Sequence, residues 1–221
     1  MKKISLLIAA ICILALNAQA GPPQLTKGNL YFGSSSTIGI GGSEDSNPLS
    51  LGFVKTNYKY GGETTSSYSS FVYNILPKSG YFVMDNLVTG LELMITGYSE
   101  NESDTEYENG QSTLGAGPWA RFYYPLEKCY PFVEGSVLLG RYKDSYAGGD
   151  WKEFMLFIGV SAGVAFPVGD NVTFDAMIGY SRASYQPTDS DSESYNSVCS
   201  GIGVGMGISI YLSCLNDLLK N

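Results

Sequence analysis

From Ile202 to Leu212 every even-numbered residue is apolar (Ile202, Val204, Met206, Ile208, Ile210, Leu212), while the odd positions between them hold Gly203, Gly205, Gly207, Ser209 and Tyr211. A period of two is a β-strand, here with one greasy face and one small or polar face. In a soluble sandwich the greasy face packs on a second sheet. In the wall of a membrane barrel it faces lipid, and the small face lines the interior. The rest of the chain favours the second reading.

Its start reads as an export signal. Lys2 and Lys3 precede an apolar run from Ile4 to Leu16, and Ala18-Gln19-Ala20 before Gly21 supplies a small-x-small cleavage site. Residues 1–20 are therefore expected to be a cleaved secretory signal peptide, and 21–221 a single mature domain with a short tail at 213–221. Cys12 follows Ile11 inside the apolar run, where lipid attachment needs a small residue, so no lipid anchor is expected. No other stretch approaches the ~18 apolar residues of a spanning helix. The 17 Tyr, 10 Phe and 27 Gly favour strands and tight turns.

Strands are predicted at 28–42, 68–84, 87–99, 112–125, 131–143, 153–168, 172–183 and 197–212. Each is long enough for the ~9–11 residues of a tilted spanning strand. The connections alternate between short (Asp85-Asn86, 126–130, Gly169-Asp170-Asn171) and long (43–67, 100–111, 144–152, 184–196). This is the pattern of an all-β, eight-stranded antiparallel up-and-down transmembrane β-barrel with short periplasmic turns and long external loops. The strand-like run 49–60 cannot cross by itself, because the strands on either side of it already have opposite directions; it is expected to extend the wall above the surface.

Residues facing each other across a hairpin point to one side of the wall, and this sets the turns. Odd-numbered apolar sets in the second and third strands demand a three-residue turn, Met84-Asp85-Asn86, with Asn86 left-handed and Lys78 opposite Glu92. Gly169-Asp170-Asn171 predicts a second such turn, and the two hairpins read alike: Met94-Ile95-Thr96-Gly97-Tyr98-Ser99 parallels Met177-Ile178-Gly179-Tyr180-Ser181. An internal repeat and convergence on good hairpin chemistry both account for this. Pro77 and Pro118 fall inside strands without a donor for the ladder, so each is expected at a bulge or a local distortion. Aromatic residues at strand ends predict two girdles. One, at the periplasmic edge, comprises Phe32, Tyr81, Tyr124, Phe132, Phe166, Phe174 and Tyr211; the other comprises Phe71, Tyr98, Tyr142, Phe154, Tyr180 and Tyr185.

The charged residues predicted to face inward are Lys78, Glu92, Arg121, Glu134 and Asp175, with Arg121 diagonal to Glu134 across a four-residue turn at 127–130. They form either a salt-bridged plug or a polar path for small solutes. The plug is favoured because eight strands enclose little more than their own side chains. Gly159, Gly163, Gly201, Gly203, Gly205 and Gly207 thin the interior and make room for large neighbours such as Trp119, Tyr123 and Met155.

A net charge of −8 without a basic patch argues against a nucleic-acid partner. The chain has no histidine, which removes the Ser-His-acid hydrolases, the usual imidazole base and most zinc sites. No catalytic, cofactor-binding or metal-binding residue is assigned. Glu100, Glu102, Asp104, Glu106 and Glu108 fall in one loop and Asp189, Asp191 and Glu193 in another, without the glycine and closing glutamate of an EF-hand. These read as solvated loops open to a surface partner. The alternative is divalent ions shared with lipopolysaccharide phosphates. Cys129 and Cys214 both belong at the periplasmic end, where disulfides are permitted, so they either form a Cys129–Cys214 bridge or stay unpaired thiols, and Cys199 belongs at the other end.

The segments 80–87, 117–126, 130–136 and Asp170-Asn171-Val172 resemble the recurring phrases of the small outer-membrane β-barrel family common in Bacteroidetes, similar in architecture to OmpX- and OmpW-type porin-like barrels. The resemblance spans essentially the whole mature chain. It implies an eight-stranded outer-membrane barrel with no catalytic residues to carry over. Such barrels stop at an aromatic residue, whereas this chain continues past Tyr211-Leu212; Gly207, Ile210 and Leu212 keep the spacing read by the barrel-insertion machinery. The expected function is non-enzymatic, in the cell envelope, with outer-membrane lipid and lipopolysaccharide as surroundings. A narrow solute channel is the second reading, and a histidine-independent lipid-modifying enzyme the third.

Overall fold

The structure is a computed structural model, and it describes residues 25–39, 51–60, 63–102, 108–146, 149–187 and 197–213. The described strands are β1 (Leu30–Gly39), β2 (Leu51–Tyr60), β3 (Glu63–Met84), β4 (Leu87–Glu102), β5 (Glu108–Tyr123), β6 (Tyr130–Tyr146), β7 (Gly149–Gly169), β8 (Val172–Pro187) and β9 (Ser197–Leu212). Each pairs antiparallel with the next from β2 round to β9; β9 pairs with β1, and β1 pairs with β3, which closes an eight-stave barrel. Two strands share the first stave. β1 lies beside β3 from Leu30↔Tyr81 to Ser35↔Leu76, and β2 takes over from Leu51↔Tyr73 to Tyr60↔Glu63.

The strands outrun their predicted ends at the loop end of the barrel. Residue pairing continues to Tyr146↔Gly149, so most of the connection expected at 144–152 is strand. β3 likewise reaches Glu63, β4 Glu102 and β8 Pro187. Beyond the apolar wall both faces carry polar residues, so no hydrophobic alternation remains to mark a strand whose ladder is nevertheless complete.

At the opposite end the hairpins are tight. Met84 pairs with Leu87 around Asp85-Asn86, and the register shift between Phe82 and Met84 makes Val83 a bulge. The expected three-residue turn is thus a two-residue turn plus one bulged residue, with the same effect on parity. Asn86, at φ 67°, is the one described non-glycine residue with positive φ. The β7–β8 turn repeats the device, with Gly169↔Val172 closing it and Val168 bulged. Between β5 and β6 the connection runs from Tyr124 to Cys129, with the Tyr124 N–H donating to the Pro131 carbonyl at 2.7 Å and the Leu126 N–H to that of Cys129 at 3.0 Å. This register sets Arg121 directly opposite Glu134, not diagonal to it.

Neither internal proline produces a bulge. Pairing lapses between Ile75↔Ile95 and Lys78↔Glu92, and between Ala116↔Leu139 and Trp119↔Ser136, then resumes in the same register. On their other sides Pro77 still faces Ser34, and Pro118 faces Leu91. The missing N–H affects one neighbour only, so the wall absorbs it without inserting a residue.

Side chains alternate strictly between the two faces. Leu91, Leu114, Val133, Ile158, Ile178 and Ile208 are exposed on the outside, whereas Phe82, Val88, Trp119, Tyr123 and Leu138 are buried within. The core is therefore the barrel interior. Its turn-end half is one cluster of Leu25, Tyr31, Phe82, Val88, Trp119, Tyr123, Tyr130, Phe132, Ala165 and Tyr211. Leu25 precedes β1 and is held there by the Asn86 N–H, which donates to its carbonyl at 2.8 Å. Phe132 and Tyr211 thus leave the predicted girdle, and Tyr142 and Tyr185 meet edge to face at 5.4 Å between ring centroids. Phe32, Tyr81, Tyr124, Phe154 and Tyr180 do face outward.

Candidate functional site

Five charged side chains from five strands meet in the interior. Strand alternation turns Lys78 (β3), Glu92 (β4), Arg121 (β5), Glu134 (β6) and Asp175 (β8) inward, and barrel closure brings them within reach of one another. Lys78 Nζ lies 3.3 Å from Glu92 Oε1 and also pairs with Glu134 Oε1. Arg121 donates through Nε to Glu134 Oε2 at 2.7 Å and through Nη1 to Asp175 Oδ2 at 2.5 Å. The chain of contacts runs Glu92, Lys78, Glu134, Arg121, Asp175. Such pairs hold in a low-dielectric interior only where the remaining lone pairs and protons find partners.

Most of those partners come from neutral residues. Asp175 accepts from Thr173 Oγ1 at 2.8 Å and from Ser209 Oγ at 2.7 Å, and Ser209 is hydrogen-bonded to the Tyr31 hydroxyl at 2.8 Å. Arg121 Nη1 also donates to the Tyr123 hydroxyl at 3.0 Å, which meets the Tyr211 hydroxyl at 2.9 Å. The guanidinium lies over the Phe132 ring, 3.9 Å from its centroid, and within 6 Å of Tyr31, Trp119 and Tyr123. Arg121, Asp175 and Ser209 are each 1 % exposed, so the turn-end half of the interior is filled.

Above this floor, toward the loop end, lies a cavity of about 760 Å³. Lys78, Glu92 and Glu134 line its base, Leu76, Met94, Met155 and Phe157 one side, and Gly201, Gly203 and Gly205 of β9 another. It extends up to Tyr185, Cys199 and Ser200, of which the last two are exposed. Glu92 Oε2, buried at the base, accepts no hydrogen bond.

Thr173, Ser209 and Tyr31 were not singled out by sequence reasoning, although the inward parity of β8, β9 and β1 marks them. Leu25 carries no such signal, since it precedes the first strand. Among the described residues no group of three or more Cys, Asp or Glu is arranged to hold a metal ion. Glu100 and Glu102 belong to β4 and Glu108 begins β5, because the ladder runs on past the apolar wall, so they are strand and not loop. Asp104, Glu106, Asp189, Asp191, Glu193, Cys214 and the signal segment lie outside the described residues, and with them the rest of the loop-ion reading and the Cys129–Cys214 reading. Among the described residues Cys129 and Cys199 do not bridge each other.

No protein-family profile matches the chain, and no curated protein does. Among solved structures it is similar to the crystal structure of Neisserial surface protein A (NspA), with 15% identity, a TM-score of 0.42, and coverage of 83% of this chain and 97% of that one. It is also similar to the crystal structure of the N-terminal β-barrel domain of Pseudomonas aeruginosa OprF, with 10% identity, a TM-score of 0.38, and coverage of 84% and 98%.

Proposed function

We propose that this chain is a closed, non-conducting integral barrel of a Gram-negative outer membrane, non-enzymatic, serving the envelope through its lipid-facing wall and its outward end. The observation that carries the reading is the packed turn-end half: Arg121, paired with Glu134 and Asp175, is buried among Tyr31, Trp119, Tyr123 and Phe132.

The wall supports the membrane setting. Outward-facing positions hold no charged residue from Pro131 to Leu139 on β6 or from Val172 to Tyr180 on β8; Arg141, Lys152 and Arg182 follow only at the loop end, all exposed. At about 3.3 Å per residue and a tilt near 40°, the charge-free band is roughly 20–25 Å tall, matching the apolar belt of an outer-membrane barrel. A soluble protein does not leave so continuous an apolar surface uncovered. The alternation of tight turns at one end with longer connections at the other supports reading the short turns as periplasmic and the loop end as external.

The channel reading makes the opposite claim about the floor. Single-channel recording of the refolded mature chain in planar bilayers separates them, once a heat-modifiable gel shift has shown that the barrel is folded. A silent bilayer is expected. Reproducible conductance steps from the folded wild-type chain would make it a pore instead.

A further inference from the structure

We propose that the interior cavity is a binding site for a small primary amine carried on a short apolar body. The proposal rests on the closed floor argued above, and it assigns that floor a ligand class.

The two cations of the floor are already engaged. Lys78 contacts Glu92 and Glu134, and Arg121 contacts Glu134 and Asp175. Carboxylates outnumber them three to two, and the oxygen left over is Glu92 Oε2, which meets no donor at full hydrogen-bonding distance in a side chain only 3% exposed, with Ser136 as the neutral side chain that interacts with the carboxylate. Glu92 lines the base of the cavity, and a small turn of its carboxylate would bring this covered oxygen to a ligand there. An anion entering here adds to a net negative floor. An ammonium group supplies both a close donor and the missing charge, forming a charge-assisted hydrogen bond.

The walls suit the rest of such a molecule. Leu76, Met94 and Met155 belong to one apolar cluster with Phe157 packed against it. Flexible thioethers and an aromatic ring adapt to alkyl or aryl groups of varied shape. Across from them the β9 glycines leave space: a Cβ added at Gly201 meets nothing within 4 Å. A volume of about 760 Å³ is that of small-molecule sites generally.

The test uses the refolded mature chain in lipid nanodiscs with ¹³C-methyl methionine, titrated with hexylammonium or, at equal concentration, hexanol. Met94 and Met155 report the cavity, while Met84 and Met206, which face outward, report partition into lipid. Saturable shifts of Met94 and Met155 are expected with hexylammonium, with hexanol at least about tenfold weaker, since a hydrogen bond to a charged group is at stake. Glu92→Gln, which keeps the shape and removes the charge, should weaken hexylammonium by a similar factor. Gly201→Phe should abolish the shifts by filling the space, and it decides the matter if Glu92→Gln does not fold. Equal binding of hexanol, unchanged binding by folded Glu92→Gln, or shifts confined to Met84 and Met206 would each overturn the amine site. A silent barrel without cavity shifts overturns this site alone, whereas a conducting barrel overturns the closed floor.

Discussion

Removing the Arg121 side chain would leave Glu134 and Asp175 in the interior without their shared cation. Breaking a buried ion pair from one side costs about 3–5 kcal/mol, so Arg121→Ala should lose stability on that scale in urea unfolding from lipid vesicles. Tyr31→Phe, which gives up a single hydrogen bond to Ser209, sets the comparison at about 1 kcal/mol. Similar losses for the two variants would mean that Arg121 is a solvated lining residue and not the centre of the floor. That the five charged residues face inward is legible from strand parity alone. So is the Lys78–Glu92 pair across one hairpin, whereas the pairings of Lys78 with Glu134 and of Arg121 with Asp175 are not, because those partners lie 56 and 54 residues apart. Parity also applies to Phe132 and Tyr211, which share the faces of Glu134 and Ser209; position at a strand end assigns them to a girdle, while the pleat turns them into the core.

At the scale of the strand, the two tight hairpins and the two prolines show how the wall tolerates local irregularity. Val83 and Val168 are bulged beside two-residue turns, so each hairpin keeps the parity that a three-residue turn would have given. Beside Pro118 the β5–β6 ladder lapses and the strands press together: a Cβ on Gly117 would lie 2.0 Å from the Val137 carbonyl oxygen and 2.9 Å from Leu138 Cα. Backbone cannot yield as a side-chain tip does. Gly117→Ala should therefore cost more than about 2 kcal/mol and deplete the folded band on unheated gels, while Gly201→Ala, in open space, should stay within about 0.5 kcal/mol of wild type. A well-folded, stable Gly117→Ala barrel would show that β5 and β6 can part there freely. The strand extensions at the loop end were illegible for a different reason. Hydrophobic alternation reports burial of one face, and strands with two polar faces are held by backbone hydrogen bonds that any sequence can make.

For the whole molecule, the decisive property is an inside-out distribution of polarity, with ions and hydroxyls in the core and leucines outside. Leu91 is 63% exposed in the middle of the wall. If that surface faces hydrocarbon, Leu91→Arg should destabilise the barrel by about 2–4 kcal/mol in vesicles, against roughly 0.5 kcal/mol or less for a water-exposed site. A neutral outcome in the equilibrium folding measurement would remove the barrel from the membrane. The sequence by itself determined the two faces, the barrel class and the residues turned inward, because a period of two and the local chemistry of tight turns act between near neighbours. The tertiary structure decided that β1 and β2 share one stave, that Arg121 opposes Glu134, that the turn-end half is packed with buried side chains while a cavity remains above it, and that one oxygen of Glu92 is left over. Those follow from closing the sheet on itself, which sets distant strands face to face across a narrow interior and leaves each charge whichever partners the registers bring within reach.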